Sequence, residues 1–218
     1  MHAQQVIQDL QNARTSLVPD KTQLQEAKNR LENSINQQTD TDGMTQDSLN
    51  AYNDKLTKAR QNLEKITQVL NGQPTVAEIR QNTSEANSNT QALDTARSQL
   101  TLNREPYINH INNESHLNNA QKDNFKAQVN SAPNHNALET IKNKADTLNQ
   151  SMTALSESIA DYENQKQQEN YLDASNNKRQ DYDNAVNAAK GILNQTQSPT
   201  MSVDVINQKA EEVKRTKD

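Results

Sequence analysis

With 218 residues, 31% of them hydrophobic, 3% aromatic and none of them cysteine, the chain can form no disulfide, offers no thiol nucleophile and is too poor in apolar side chains for one large globular core. Its formal charge of −5 comes with lysines and arginines scattered singly, which speaks against a nucleic-acid or anionic-membrane surface, where clustered positive charge supplies the attraction. Leu, Ile, Val and Phe together number 37, so folding rests on where these few residues fall, and thin helical bundles are the architecture they can satisfy.

The first predicted element is a helix over 3–17, marked by Val6, Leu10, Ala13 and Leu17 and ended by Pro19. It lacks partners and reads as the last helix of a preceding unit. Asp20 and Gln23 resemble a capping pair for the next helix, whose inner face is Leu24, Ala27, Leu31 and Ile35, before a turn over 39–43. A third helix starts near Thr45 and carries Leu49, Tyr52, Leu56, Ala59, Leu63, Ile66 and Leu70 in steps of three and four, stopped by Asn71-Gly72 and Pro74. Thr75 and Glu78 form a capping box for a helix through Val76, Ile79, Ala86, Leu93, Ala96 and Leu100. These three helices make a bundle over 19–103.

Pro106 restarts the chain with shorter helices, one around Tyr107, Ile108 and Ile111, the next around Leu117, Ala120, Phe125 and Val129, closed by Pro133. A long stretch over 134–168 follows, with Leu138, Ile141, Ala145, Leu148, Met152, Leu155, Ile159 and Tyr162 on one uninterrupted stripe. At 1.5 Å per residue that seam spans about 36 Å, too long for one small bundle, so its first half is expected to close a bundle over 104–152 and its second half to open another over 153–218. A loop over 170–174 leads to a cap at Ser175 and a helix with Tyr182, Val186, Ala189, Ile192 and Leu193. Past Pro199 a last helix carries Val203, Ile206, Ala210 and Val213. The expected fold is therefore all-α: elongated tandem three-helix bundles joined by a shared long helix, a monomeric rod. A long coiled coil, suggested by leucines at 49, 56, 63 and 70, is the rival, but breakers arrive every ~24 to 33 residues.

Internal similarity points to an array. Tyr52, Leu56, Ala59 and Leu63 recur as Tyr182, Val186, Ala189 and Leu193 at a constant offset, and Leu10, Ala13, Arg14 and Leu17 recur as Leu93, Ala96, Arg97 and Leu100. The segment 1–18 thus reads as the tail of another copy. Met1-His2 resembles an added start, and 213–218 stops inside a helical pattern, so a longer parent is expected.

Gly43-Met44-Thr45 followed by Tyr52, Leu56 and Ala59, and again 170–174 before Tyr182, resemble FIVAR modules; 117–124 with Ala145, Leu148-Asn149 and Met152 resemble a GA module. Their order is similar to the repeat region of giant staphylococcal cell-wall-anchored adhesins. That resemblance implies a surface-exposed string of three-helix bundles that acts as a spacer and binds host extracellular-matrix proteins such as fibronectin. It implies as the alternative an albumin- or other plasma-protein-binding GA-type module. Two departures weigh against albumin: the corresponding turn holds Pro133, Asn134 and His135, and an insertion lies near 112–115.

The residues suggest no catalytic, cofactor-binding or metal site, since thin bundles rarely provide the cleft that shifts a pKa. His110 and His116, six apart, lack the spacing of a helical metal pair and read as solvated surface histidines. Asp40, Asp42 and Gly43 open like a calcium loop, but Met44, Thr45 and Ala51 fail the later positions, leaving a turn. Tyr52 and Tyr182 fall on apolar stripes and are expected in the core with their hydroxyls at solvent or a polar neighbour, whereas Tyr171 is expected to be exposed. The protein-binding residues stay unassigned, with Lys126 and Gln128 on the outer face of the small bundle as probes.

Overall fold

The computed structural model describes residues 2–217, and for residues 15 and 16 the backbone alone; Met1 and Asp218 lie outside it. The chain forms two compact units, one ending at Thr101 and the other beginning at Leu102. Among the described residues there are eleven helices and no strand.

The first unit begins with α1 (His2–Ser16), on which Val6, Ile7 and Leu10 are exposed. Its bundle is α2 (Thr22–Asn36), α3 (Gln46–Asn71) and α4 (Val76–Ser98). Leu24, Ala27 and Leu31 from α2, Tyr52, Ala59 and Ile66 from α3, and Ile79, Ala86, Leu93 and Ala96 from α4 form one core. Every one of these steps is three, four or seven, so each helix turns a single stripe inward. Of the four leucines that suggested a coiled coil, Leu56, Leu63 and Leu70 pack half-buried against this same core, and Leu49 is half-buried as well.

The bundle's ends are closed by side chains. Thr75 Oγ1 accepts from the Glu78 amide at 3.2 Å and the Glu78 carboxylate accepts from the Thr75 amide at 2.7 Å, the expected capping box. The expected Asp20–Gln23 pair does not form: Asp20 accepts from the Thr22 amide, and Lys21 stands at the N-cap without a side-chain bond to the helix. Lys21 is drawn across the bundle, its ammonium donating to the carbonyls of Leu70 and Gly72 at 2.8 Å each, where α3 leaves its last carbonyls open. The 39–43 segment is the turn expected, with the Asp42 amide on Asp40 Oδ1 and Gly43 at φ 67°, in the left-handed region.

The second unit begins with α5 (Glu105–Asn113) and α6 (Asn119–Ser131), followed by the long α7 (His135–Ile159). Two four-residue helices, α8 (Tyr162–Gln165) and α9 (Glu169–Leu172), lead to α10 (Asn176–Leu193) and α11 (Val203–Lys217). α7 packs against α5 and α6 and also against α10 and α11. Tyr107 and His110 on α5 meet Glu139 and Asp146 in its first half, and Lys217 at the end of α11 meets Asp161 just past its last turn. Leu138, Ile141, Ala145, Leu148, Met152 and Leu155 are buried along it, so one helix serves two bundles as expected.

α7 is shorter than expected, ending at Ile159 where a helix to Gln168 was predicted. Ala160 keeps helical angles, Asp161 departs from them at φ −98° and ψ 7°, and the chain re-enters α8. The cause is tertiary. Asp161 is held by Lys217 and by Gln165, and the Tyr162 hydroxyl donates to Asp183 on α10 at 2.9 Å. Tyr162 is still buried, so the three-four spacing runs through the break without registering it. The expected 170–174 loop is likewise partly helical, α9 occupying its first half. Ser175 caps α10 on the Lys178 amide as expected.

Candidate functional site

The two bundles of the second unit are joined through the N-terminus of α6. Asn118 and Gln121 form a reciprocal capping box: the Gln121 amide donates to Asn118 Oδ1 at 2.9 Å and the Asn118 amide to Gln121 Oε1 at 3.0 Å. Each side chain accepts through its oxygen in this box and keeps its amide nitrogen to donate, and both nitrogens reach the neighbouring bundle. Asn118 Nδ2 donates to the Ile192 carbonyl at 3.1 Å, in the last turn of α10, and Gln121 Nε2 to the Thr200 carbonyl at 2.9 Å, before α11. Gln121 is fully buried. The N-x-x-Q signature of a cap is legible in the sequence, but the long-range role is not, because it depends on which carbonyls the fold brings alongside.

On the outer face beside this junction, α6, α7 and the start of α11 border a shallow groove lined by Phe125, Gln128, Thr140, Lys144, Met201 and Val203. Phe125 is buried beneath it and the rim is polar. Of the two residues chosen as probes, Gln128 lines this groove and donates to Asn124, while Lys126 pairs with Asp123 at 2.8 Å. The turn before α7 is ordered by Asn134, which caps the Ala137 amide, and His135 sets its ring edge-on to Tyr107. Burial, then a hydrogen bond to Glu139, push the Tyr107 hydroxyl up to about 12.

The tyrosines are structural. Tyr52 is buried with its hydroxyl near Thr39, as expected. Tyr182 is buried too, but its hydroxyl has no protein partner, contrary to the expected polar neighbour, because Tyr162 and Tyr171 pack their rings around it at 5.6 and 6.3 Å. Tyr171 is not the exposed aromatic expected: it is half-buried and donates to the Asp183 carboxylate at 2.9 Å. Lys190 and Lys166 lie over the Tyr162 ring at 4.5 and 5.0 Å.

His110 also departs from expectation. It is not a solvated surface histidine: its Nε2 lies 3.1 Å from the carboxylate of Glu114, the residue that ends α5, and in direct contact with Asp146 on α7, whereas His116 is exposed beside Ser115. Lys142 adds a 3.4 Å contact to the other Asp146 oxygen. Burial pushes the Glu114 carboxyl up, as does its contact with Asp146. Burial works against Asp146 as well, but hydrogen bonds and charge from His110 and Lys142 hold its carboxyl below the usual range. The i,i+4 spacing of His110 and Glu114 was available in the sequence; Asp146, 36 residues from His110, was not.

Two family models match the chain. The FIVAR domain matches residues 27–94 and 151–218, and the GA module matches residues 97–151. Among curated proteins the chain is similar to the extracellular matrix-binding protein ebh of Staphylococcus aureus strain MRSA252, 54% identical over 118 residues. It is similar to the same degree to EbhB of strain Newman. Those matches take in 54% of this chain but only 1% and 2% of the relatives, so the chain corresponds to a small part of their length. Of solved structures, an EbhA segment from S. aureus covers 91% of this chain and 76% of its own, at 26% identity and a TM-score of 0.56. A structure from work on Embp-mediated S. epidermidis adherence to fibronectin shares the fold, at 22% identity and a TM-score of 0.51 over 52% of this chain and 90% of its own.

Proposed function

We propose, for a chain that belongs to the FIVAR domain family and carries a GA module between its two matched segments, a non-enzymatic role as a repeat segment of a giant staphylococcal cell-surface adhesin. In that role it is a structural spacer that contributes to binding of host extracellular matrix. The observation that carries the spacer reading is the coupling inside the second unit. The GA-type and FIVAR-type bundles share α7 and are pinned by the buried Gln121 and by Asn118, so no flexible linker separates them. A repeat built this way holds its neighbour at a fixed angle. The similarity to proteins named as matrix-binding supports the adhesive half of the reading, and fibronectin is the first ligand to test.

A second reading, capture of albumin or another plasma protein by the GA-type bundle, draws on the groove over Phe125. One sample tests both. NMR relaxation of the purified chain is expected to show the two bundles of the second unit tumbling together, and titration with fibronectin to give weak saturable binding of the sort that an array multiplies through avidity. Independent tumbling of the two bundles of the second unit would overturn the spacer role. Absence of saturable fibronectin binding at tens of micromolar would leave the spacer alone, and albumin binding lost in Gln128→Ala would move the adhesive role to the GA-type face.

A further inference from the structure

We propose that His110, Glu114 and Asp146 form a binding site for a divalent transition cation of the Zn²⁺ class, clasping α5 to α7 in the GA-type bundle. One ligand atom from each of the three residues lies within 4.8 Å of the other two, the one such group of three His, Asp or Glu side chains found among the described residues. Zinc takes His nitrogen and carboxylate oxygen at about 2.0–2.2 Å, so two ligands of a tetrahedral site sit roughly 3.4 Å apart. The His110–Glu114 separation of 3.1 Å is already close to that edge, and His110 and Asp146 are in contact, so small side-chain rotations seat an ion.

The arrangement has the parts of a site and not only the proximity. His110 comes from the last turn of α5, Glu114 from the residue that ends that helix four positions on, and Asp146 from a different helix, so the ligands approach from separate backbone positions. The side chains of His110, Glu114 and Asp146 are 33%, 14% and 33% exposed, so the ligands are partly withdrawn from water while the outer side stays open for a fourth, solvent ligand. Two carboxylates are brought together around one imidazole, and a bound cation removes their mutual repulsion. Lys142, on the far oxygen of Asp146, orients that carboxylate from outside as outer-shell groups do. Calcium is disfavoured, because it requires six to eight oxygen ligands and the pocket supplies two carboxylates and a nitrogen.

The experiment is calorimetric titration of ZnCl₂ into the full 218-residue chain near neutral pH, with amide chemical shifts followed on the same sample. The expected result is one Zn²⁺ per chain, shifts concentrated at 110–114 and 142–149, a raised unfolding temperature, and no comparable response to CaCl₂. His110→Gln, which keeps a neutral hydrogen-bonding side chain, and Asp146→Asn are each expected to weaken Zn²⁺ at least tenfold, with circular dichroism confirming that they fold. His116→Gln and His135→Gln are expected to bind like the parent. The proposal is overturned by absence of saturable Zn²⁺ binding up to millimolar concentration. It is equally overturned by binding that survives in His110→Gln or Asp146→Asn and is lost in His116→Gln, which would place the ion elsewhere.

Discussion

Gln121→Ala tests the junction on which the spacer reading stands. Gln121 is wholly buried, its Oε1 accepting from the Asn118 amide and its Nε2 donating to the Thr200 carbonyl. Truncation leaves that amide and that carbonyl without their side-chain partners, at about 1–3 kcal/mol for each buried orphan, and adds a small cavity. Allowing for relaxation, the loss should be about 2–4 kcal/mol. For a unit of this size each kcal/mol lowers the midpoint by roughly 4 °C, so a fall of about 8–16 °C is expected. Urea unfolding followed by tyrosine fluorescence reads the second unit preferentially, since Tyr107, Tyr162, Tyr171 and Tyr182 lie there and only Tyr52 in the first. Gln121→Leu fills the volume without the hydrogen bonds and should lose most of the same stability. A loss below about 0.5 kcal/mol in both variants would refute the claim that this residue couples the bundles.

Three further outcomes follow. Leu148→Pro, at a 1% exposed position inside α7, removes a helix hydrogen bond and a core side chain and should cost at least ~3 kcal/mol; unchanged thermal unfolding by circular dichroism would sink the shared helix. Gly191→Ala should stabilise by about 1 kcal/mol, because a Cβ there meets nothing within 4 Å and helical glycine carries that entropic cost; a lowered midpoint would show that the position needs glycine. Burial and acidic neighbours raise Tyr107 to about 12 and raise Tyr162 as well, both above the ordinary 10.0. Groups with raised folded pKa values contribute stability that is complete below about pH 10 and lost as pH climbs toward about 12. Phenolate absorbance of both residues rising near pH 10 in a chain that stays helical would contradict this.

What the sequence made legible is what local spacing controls. The stripes at 24–35, 49–70 and 138–155 became the buried faces of α2, α3 and α7, because three-four periodicity is a property of one helix alone. Caps split along the same line. Thr75–Glu78 and Ser175 act within four residues and were readable, whereas Lys21 abandons its own helix for carbonyls about fifty residues away. The end of α7 at Ile159 was hidden because the break preserves the phase of the stripe and is imposed by Lys217 and Asp183 from other helices. His110 shows the same limit at the candidate site. Comparing it only with His116 missed the carboxylate one turn away, and no local pattern reveals a ligand from another helix.

The polar junction sets how the two bundles that share α7 are placed on each other. Apolar burial along α7 is non-directional and by itself specifies no single angle. Hydrogen bonds from Asn118 to Ile192 and from Gln121 to Thr200 are not, because geometry off by an ångström leaves buried donors unmade. One residue inserted between Ala145 and Leu148 would advance the second bundle by about 1.5 Å and turn it by roughly 100° about the helix axis. Both hydrogen bonds would break and one core face would point to solvent. α7 therefore joins the two bundles, and two amide side chains whose unmade bonds exact a definite cost set the angle between them.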